Sequence, residues 1–355
     1  MLNSPVVDTF LELVRIDSPS GQEAVLGQAI QNKLSDLGIS SSIDAFGNLF
    51  AKVEGRGQPV LLSAHLDTVE PGRGVKPTVE GGMIKSDGTT ILGADNKAAL
   101  AAILTAISQA DRSKLRPLEI VFSVREETDG WISKFDFSNL TAKTGLIADR
   151  ASAVGSVVLS SPWIMNLNIA VVGKPAHSSL PELAVNALTV AAKAISATKW
   201  GRIDSVTTAN LGIVSGGSGM NTIPGRVDLV GEIRSFSETK LNAVQAKIKS
   251  VFSQVCSKYG AELIFDNSLY CQGYSYKKSD PAVKQIVSVL QSLNITPFYE
   301  VVFGASDANT FAANNFKVVT IGDGCTDPHT VNESISEASL EKLTQVFLAY
   351  ITNSG

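Results

Sequence analysis

Hydrophobic and polar positions along the chain follow two repeating patterns, one typical of helices and the other of strands. Apolar residues recur at helical spacing over 5–18 and 96–110, whereas short apolar runs at 59–64, 118–124 and 144–149 are typical of strands. The run at 59–64 is apolar on both faces, as in a parallel sheet that is covered on both sides. Strands that alternate with helices in this way predict the α/β fold class with a βαβ-type sheet.

The pattern changes at about residue 163. From there to residue 276 the elements follow the order strand, helix, two strands, helix and strand, which is the split βαβ order of a ferredoxin-like domain. The βαβ pattern resumes after residue 277. The sequence therefore predicts one catalytic α/β domain in two parts, 1–162 and 277–355, interrupted by an inserted domain at 163–276.

Length and composition exclude several classes of protein. The 355 residues suffice for two domains, and a net charge of −4 offers no broad basic surface for nucleic acid or anionic lipid. No apolar run approaches the roughly 20 residues that span a bilayer, and the N-terminal stretch is predicted to be a helix rather than a signal peptide. Three widely spaced cysteines fit a reduced cytoplasm better than a disulfide framework.

Histidines and acidic residues stand near the ends of the predicted strands. His65 and Asp67 follow the strand at 59–64, and an imidazole beside a carboxylate on one face of extended chain is typical of a metal ligand and its orienting partner. In open α/β sheets the carboxyl ends of the strands surround one crevice, so residues far apart in the chain can meet there. The residues in such strand-end or loop stretches are His65, Asp67, Asp95 at the entrance of a helix, Glu126, Glu127, Asp149 and His329.

Each of these residues has a simpler explanation when it is taken alone. A lone histidine at a strand end is more often a surface residue, Asp95 could cap the helix that follows it, and two glutamates could form a solvated turn. Charge favours a metal site instead, because carboxylates gathered in one crevice repel one another unless cations balance them. Asp95, Glu127 and Asp149 carry three negative charges, which two divalent cations and one hydroxide would balance. The nitrogen and oxygen donors suit Zn²⁺, or Mn²⁺ or Co²⁺ as substitutes.

Glu126 and Glu127 are adjacent, and adjacent side chains on a strand point in opposite directions. We therefore expect them to have different roles. One of them would ligate a metal ion, and the other would face the substrate as a general base.

Several short motifs occur in a characteristic order along the chain. They are HLDTV at 65–69, GADNK at 93–97, EE at 126–127, AHSS at 176–179, NTIP at 221–224, GEIRS at 231–235, GASDAN at 304–309 and PHT at 328–330. In this order and spacing the motifs resemble those of the M20 family of di-metal exopeptidases. The stretch GRIDSVTTANLG, at 201–212, resembles the peptidase T-like branch of that family. The resemblance extends from about residue 5 to residue 350.

The resemblance implies a phosphorylase/hydrolase-like mixed-sheet catalytic domain with an inserted ferredoxin-like α+β lid, through which such chains commonly form homodimers. It also implies two divalent metal ions, most often zinc, with Asp95 as the ligand that they share. His65 and Asp149 would complete one metal site, and Glu127 and His329 would complete the other.

The same resemblance implies roles for the remaining site residues. Glu126 would be the general base that takes a proton from the attacking water, and Asp67 would orient His65. In the lid, His177 would stabilise the oxyanion, while Asn221 and Arg234 would bind the substrate, often through its carboxylate.

The implied function is that of a zinc-type exopeptidase, an aminopeptidase or tripeptidase that hydrolyses the N-terminal peptide bond of short peptides with a metal-activated water. An N-acyl amino-acid deacylase of the same family is the alternative. A catalytically dead binding protein would lack a ligand or the base, and none is missing here. Trp131 is expected to shape the substrate pocket. A zinc pair formed by Cys325 and His329 is disfavoured, because the ligand set is complete without the thiol.

Overall fold

The computed structural model describes residues 4–352, apart from the side chain of Trp131, so the expected effect of Trp131 on a pocket lies outside the described residues. The helices are α1 (Pro5–Val14), α2 (Ala24–Asp36), α3 (Ala94–Gln109), α4 (Ala187–Ala197), α5 (Glu238–Tyr259), α6 (Pro281–Ser292), α7 (Asp307–Ala313) and α8 (Glu337–Thr352). The strands are β1 (Ser41–Ile43), β2 (Leu49–Val53), β3 (Val60–His65), β4 (Thr78–Glu80), β5 (Met83–Lys85), β6 (Leu118–Ser123), β7 (Thr144–Ala148), β8 (Ser156–Ser161), β9 (Trp163–Val172), β10 (Ala176–His177), β11 (Gly201–Asp204), β12 (Thr207–Gly216), β13 (Thr222–Ile223), β14 (Arg226–Ser235), β15 (Glu262–Cys271), β16 (Tyr274–Ser275), β17 (Phe298–Val301), β18 (Lys317–Ile321), β19 (Cys325–Thr326) and β20 (Ser334–Ser336).

The chain divides into two compact units. The larger unit contains the chain up to Leu159, Tyr276–Val301 and the chain from Ser306 onward. The smaller unit contains Ser160–Ser275 together with the short segment Val302–Ala305.

A mixed sheet forms the centre of the larger unit, with strands in the order β1-β2-β6-β3-β7-β18-β8. Strand β3 lies between β6 and β7 and pairs in parallel with both, and β7 pairs in parallel with β18. All six residues of β3 are buried, as the continuous apolar run predicts for a strand that is covered on both faces. The predicted α/β fold class is confirmed.

Helix α3 packs against β3, α1 and α8. Every residue from Lys97 to Ile107 is buried, and many of them are alanines, whose small side chains let the helix lie close to its neighbours. The start of this helix is irregular, because the backbone at Asp95 and Asn96 is not helical. Asp95 therefore stands on a turn that a deeply buried helix supports.

The parallel pairing brings four strand ends to one edge of the sheet. His65 at the end of β3 pairs with Ser123 at the end of β6, and Ile321 at the end of β18 pairs with Ala148 at the end of β7. The segments that follow these strands carry most of the acidic residues singled out in the sequence.

The smaller unit contains an antiparallel sheet with strands in the order β11-β12-β14-β9-β15. Helices α4 and α5 pack on this sheet. The chain order β9-α4-β12-β14-α5-β15, with β9 and β14 in the centre of the sheet, is that of a ferredoxin-like α+β fold.

Some elements differ from the sequence-based expectation. The sequence pattern predicts a strand at 261–265, but strand β15 continues to Cys271. It does so because it pairs along most of β9, although Asn267 and Ser268 are typical of turns. The glycine-rich stretch at 70–93 predicts a loop or a hairpin, and β4 and β5 form a hairpin there. Strands β8 and β11 and the pairing of β20 with β5 and β19 were not expected, since short strands carry little local signal.

Two further findings concern the described chain as a whole. The three cysteines are free. Within residues 4–352, no helix is both long enough and apolar enough to cross a membrane.

Candidate metal centre

His65 is the last residue of β3, and its side chain is only 1% exposed. Its Nδ1 atom lies 2.9 Å from the carbonyl oxygen of Asp67. Its Nε2 atom lies 3.2 Å from Oδ1 of Asp95 and 3.6 Å from Oδ1 of Asp149. A ring that is oriented through one nitrogen and presents the other to carboxylates is arranged as metal-ligating histidines are.

Asp95 lies between the two histidines of the larger unit. Its Oδ1 atom faces His65, and its Oδ2 atom lies 3.4 Å from Nε2 of His329. The same nitrogen of His329 lies 2.7 Å from Oε1 of Glu127. The structure therefore brings together residues from four separate segments, and one carboxylate contacts both rings.

Three overlapping sets of side chains could each hold a metal ion, since one donor atom of each member lies within 4.8 Å of the others. Two of these sets share Asp95, and their oxygen and nitrogen donors are those that Zn²⁺ or Mn²⁺ accepts. The residues present therefore fit a pair of divalent cations. The sets are His65 with Asp95 and Asp149, Asp95 with Glu127 and His329, and His65 with Glu126 and Glu127.

The charges within the cluster shift the pKa of each group. Burial alone would raise the pKa of Asp95, but hydrogen bonds with His329 and His65 outweigh it and hold this pKa well below the usual range. Hydrogen bonds to Asp95 and Glu127 raise the pKa of His329 to about 10. Burial raises the pKa of Glu127 and of Asp149. A metal ion would compete with the histidine protons, because histidine ligates in its neutral form.

Glu126 differs from Glu127 in its surroundings. Burial, followed by the charge of Asp149, raises the pKa of Glu126 well above its usual value. No side chain in residues 4–352 makes a hydrogen bond or ion pair with its carboxylate, whereas Glu127 bonds His329. A carboxylate with these properties is suited to accept a proton.

Glu126 and Glu127 have different surroundings, but strand geometry is not the reason. Strand β6 ends at Ser123, and Arg125 has a φ of +58°, so Glu126 and Glu127 lie on a turn and not on extended chain. The alternation of side chains along a strand therefore does not apply to them. Their different partners distinguish them instead.

Asp67 is fully buried, and it contacts not only His65 but also the turn that carries Glu126 and Glu127. Its Oδ1 atom accepts a hydrogen bond from the backbone N–H of Glu126 at 2.9 Å, and its Oδ2 atom accepts one from Glu127 at 3.1 Å. The hydroxyl of Ser20 donates to Oδ2 at 2.6 Å. Asp67 thus holds both the imidazole and the turn that carries the two glutamates.

Sequence reasoning missed several residues that surround the cluster. The amide of Asn96 donates to Oδ1 of Asp149 at 3.1 Å and to the carbonyl oxygen of Ala148 at 2.7 Å. Asp307 accepts a hydrogen bond from Ser123, and burial raises its pKa to about 7. Both residues lie within recognisable motifs, GADNK and GASDAN, which was the available signal.

The thiol of Cys325 donates to Oδ2 of Asp323 at 3.2 Å. Cys325 belongs to none of the candidate metal sets in the described part of the chain. The geometry thus offers no support for a zinc pair of Cys325 with His329.

The three predicted lid residues all belong to the smaller unit. His177 is exposed, and its Nδ1 atom lies 2.7 Å from the hydroxyl of Ser179. Strands β10 and β13 place it beside Asn221, whose carbonyl oxygen accepts a hydrogen bond from the backbone N–H of Ser178 at 2.9 Å.

Arg234 lies on β14, and Glu232 on the same strand occupies its guanidinium fork, with distances of 2.6 and 2.9 Å. A third nitrogen donates to the carbonyl oxygen of Phe303 at 2.8 Å. The guanidinium is therefore already paired within its own unit.

Comparison with known proteins identifies the family of this chain. Residues 61–353 match the sequence profile of Peptidase family M20/M25/M40. The chain is 33% identical to the aminopeptidase PepT from Bacillus cereus ATCC 10987, with a TM-score of 0.90 over 98% of this chain and 97% of that one. It is 31% identical to a tripeptidase from Staphylococcus aureus, with a TM-score of 0.92 over 98% and 97% of the two chains.

A third relative is known from its sequence. The uncharacterized protein YqjE of Bacillus subtilis (strain 168) is 34% identical over 364 residues, which cover 99% of this chain and 98% of that protein. The predicted family and its peptidase T-like branch are confirmed. The chain belongs to peptidase family M20/M25/M40 and is a hydrolase that acts on peptide bonds.

Proposed function

We propose that this protein is a di-metal exopeptidase that removes the N-terminal residue from short peptides. The observation that carries the proposal is the position of Asp95, whose two carboxylate oxygens lie 3.2 and 3.4 Å from the two histidines. A carboxylate placed in this way can be a ligand that two metal ions share. The names of two relatives, an aminopeptidase and a tripeptidase, support the choice of the N-terminal bond of a short peptide.

Different residues of the protein would have different roles in the hydrolysis. When bound, two divalent cations, with Zn²⁺ suited to these nitrogen and oxygen donors, would polarise the scissile carbonyl and lower the pKa of the attacking water. Glu126 would take the proton from that water and pass it to the leaving amine. Asp67 would keep the turn of Glu126 and Glu127 in place through the two backbone hydrogen bonds that it accepts.

We further propose that residues 163–276 act as a lid over the substrate. His177 would stabilise the developing oxyanion, and Asn221 and Arg234 would bind the substrate carboxylate. Since Glu232 already occupies the fork of Arg234, a substrate carboxylate would compete with Glu232 for it. This competition favours weak rather than tight recognition of the substrate by Arg234.

The test of this function is a panel of substrates assayed with Zn²⁺ or Mn²⁺. We expect turnover of di- and tripeptides with a free N-terminus and none of the same peptides after N-acetylation. Turnover of N-acetyl amino acids alone would show that the protein is the alternative, a deacylase. Absence of turnover across the whole panel, with metal bound, would favour a binding protein.

The smaller unit also supports a homodimer. Leu188 on α4 and Ile213 and Val214 on β12 are large apolar side chains that are at least half exposed. Beyond Ala209, the outer edge of β12 pairs with no strand in the described part of the chain. An unpaired strand edge of this kind can pair with a strand of another chain. We expect light scattering to give about twice the 37.4 kDa of one chain, and Val214→Lys to give the single-chain mass. A wild-type protein of single-chain mass would contradict the dimer.

A further inference from the structure

Glu333 is a buried carboxylate that contacts the turn preceding α3. It is 1% exposed. Its Oε2 atom accepts hydrogen bonds from the backbone N–H groups of Leu92 at 2.9 Å and Gly93 at 2.7 Å, and its Oε1 atom accepts one from Asp95 at 3.0 Å. Three N–H donors on one buried carboxylate form charge-assisted bonds, and each donor would lose its partner if the carboxylate were removed.

The same residue closes the loop that carries His329. The backbone N–H of Glu333 donates to the carbonyl oxygen of Thr330 at 3.1 Å. Directly after it, β20 pairs with β5 and β19. Glu333 is therefore fixed at the base of a short loop, and its side chain reaches across to the backbone of Asp95.

The backbone of this loop is strained. Asp327 and His329 have φ values of +53° and +62°, a left-handed conformation that is unfavourable for residues other than glycine. Such a conformation persists only where surrounding contacts hold it. The side chain of His329 is 48% exposed, so much of the constraint on the loop has to come from residues at its base.

We infer that Glu333 is a positioning residue that sets the separation of Asp95 and His329 and thereby assembles the metal set of Asp95, Glu127 and His329. The inference rests on the proposed function, because it concerns the second of the two metal sites. The other set shares Asp95 but depends less on Glu333, since its remaining ligands are held elsewhere: β3 carries His65, and Asn96 bonds Asp149.

The test is a titration of the metal-free protein with Zn²⁺, followed by calorimetry. In Glu333→Gln the side chain keeps its size, but its amide N–H₂ group replaces an oxygen and faces a backbone N–H donor. We expect the wild-type protein to bind two ions and this variant to bind one of them about 10 to 100 times less tightly, as when an outer partner of a metal ligand is lost. The affinity for the other ion should change by less than about threefold, well below that range.

Glu341→Gln is the matched control, because Glu341 is an exposed acid on α8 and the change removes the same charge. Its titration should equal that of the wild type. The melting temperature of each metal-free variant is measured alongside, since a purely structural role would lower it without changing the ratio of the two affinities.

The possible outcomes separate the two proposals. A Glu333→Gln protein that binds two ions with wild-type affinities, or that loses affinity equally for both, would overturn the positioning role and leave the proposed function standing. A wild-type protein that binds fewer than two ions would overturn the proposed function itself. If Glu333→Gln does not fold, Glu333→Asp decides, because it keeps the charge and shortens the reach, and the same selective weakening is expected.

Discussion

Replacing Glu126 with glutamine is expected to lower kcat on a tripeptide by about 10² to 10⁴-fold, the usual contribution of a general base. Glutamine has nearly the same shape as glutamate but cannot accept the proton of the attacking water. The carboxylate of Glu126 has no hydrogen-bond or ion-pair partner within residues 4–352, so the substitution breaks no contact that the structure describes. Both metal ions should stay bound, which metal analysis of the dialysed variant measures together with kcat.

Glu80→Gln is the control for this substitution, since Glu80 is an exposed glutamate on β4 of the same unit. It should leave kcat unchanged. An unchanged rate in Glu126→Gln would reject Glu126 as the base. Loss of a metal ion from that variant would instead show that Glu126 is a metal ligand. Its candidate set with His65 and Glu127 is consistent with that role.

The second large effect is expected for Asp95→Asn, which removes the charge of the carboxylate that faces both histidines. Metal affinity at both sites should fall by more than about 100-fold, the upper end of the loss caused by removing only an outer partner. Hydrolysis at micromolar metal should fall to background. The local fold should survive, because the backbone N–H of Asp95, and not its side chain, bonds Glu333.

Calorimetric titration with Zn²⁺ measures this effect, with Asp36→Asn as the control. Asp36 is an exposed residue at the end of α2, and it belongs to none of the candidate metal sets in the described part of the chain. If Asp95→Asn loses only one of two ions, Asp95 belongs to one site alone. The shared-carboxylate arrangement would then be wrong, although a single metal site could remain.

Much of the site could be predicted because its residues follow a local rule. Parallel strands end at the same edge of a sheet, so His65 at the end of β3 and Asp149 after β7 had to lie near each other once those strands were recognised. In the structure, Nε2 of His65 lies 3.6 Å from Oδ1 of Asp149. The metal roles of these residues stay predictions, but their proximity followed from strand patterns that are visible in the sequence.

Other parts of the site depend on contacts that no local pattern encodes. Glu333 reaches the backbone of Asp95 across 238 positions of sequence, and it resembles an ordinary surface glutamate when it is read in isolation. The sequence predicts that extended chain continues after β6, but the chain turns at Arg125, whose φ is +58°. In both cases a carboxylate from a distant part of the chain accepts hydrogen bonds from the backbone and holds its conformation.

The sequence by itself determined the α/β class, because hydrophobic periodicity is a local property of the chain. The order of its patterns and motifs also predicted an inserted ferredoxin-like domain and a set of acidic and histidine residues near the strand ends. Only the tertiary structure decided that Asp95 faces both His65 and His329 and that Asp67 and Glu333 hold the turns around it. These relations join segments that are remote in sequence. They arise because buried carboxylates must find N–H donors or cations wherever the fold brings them.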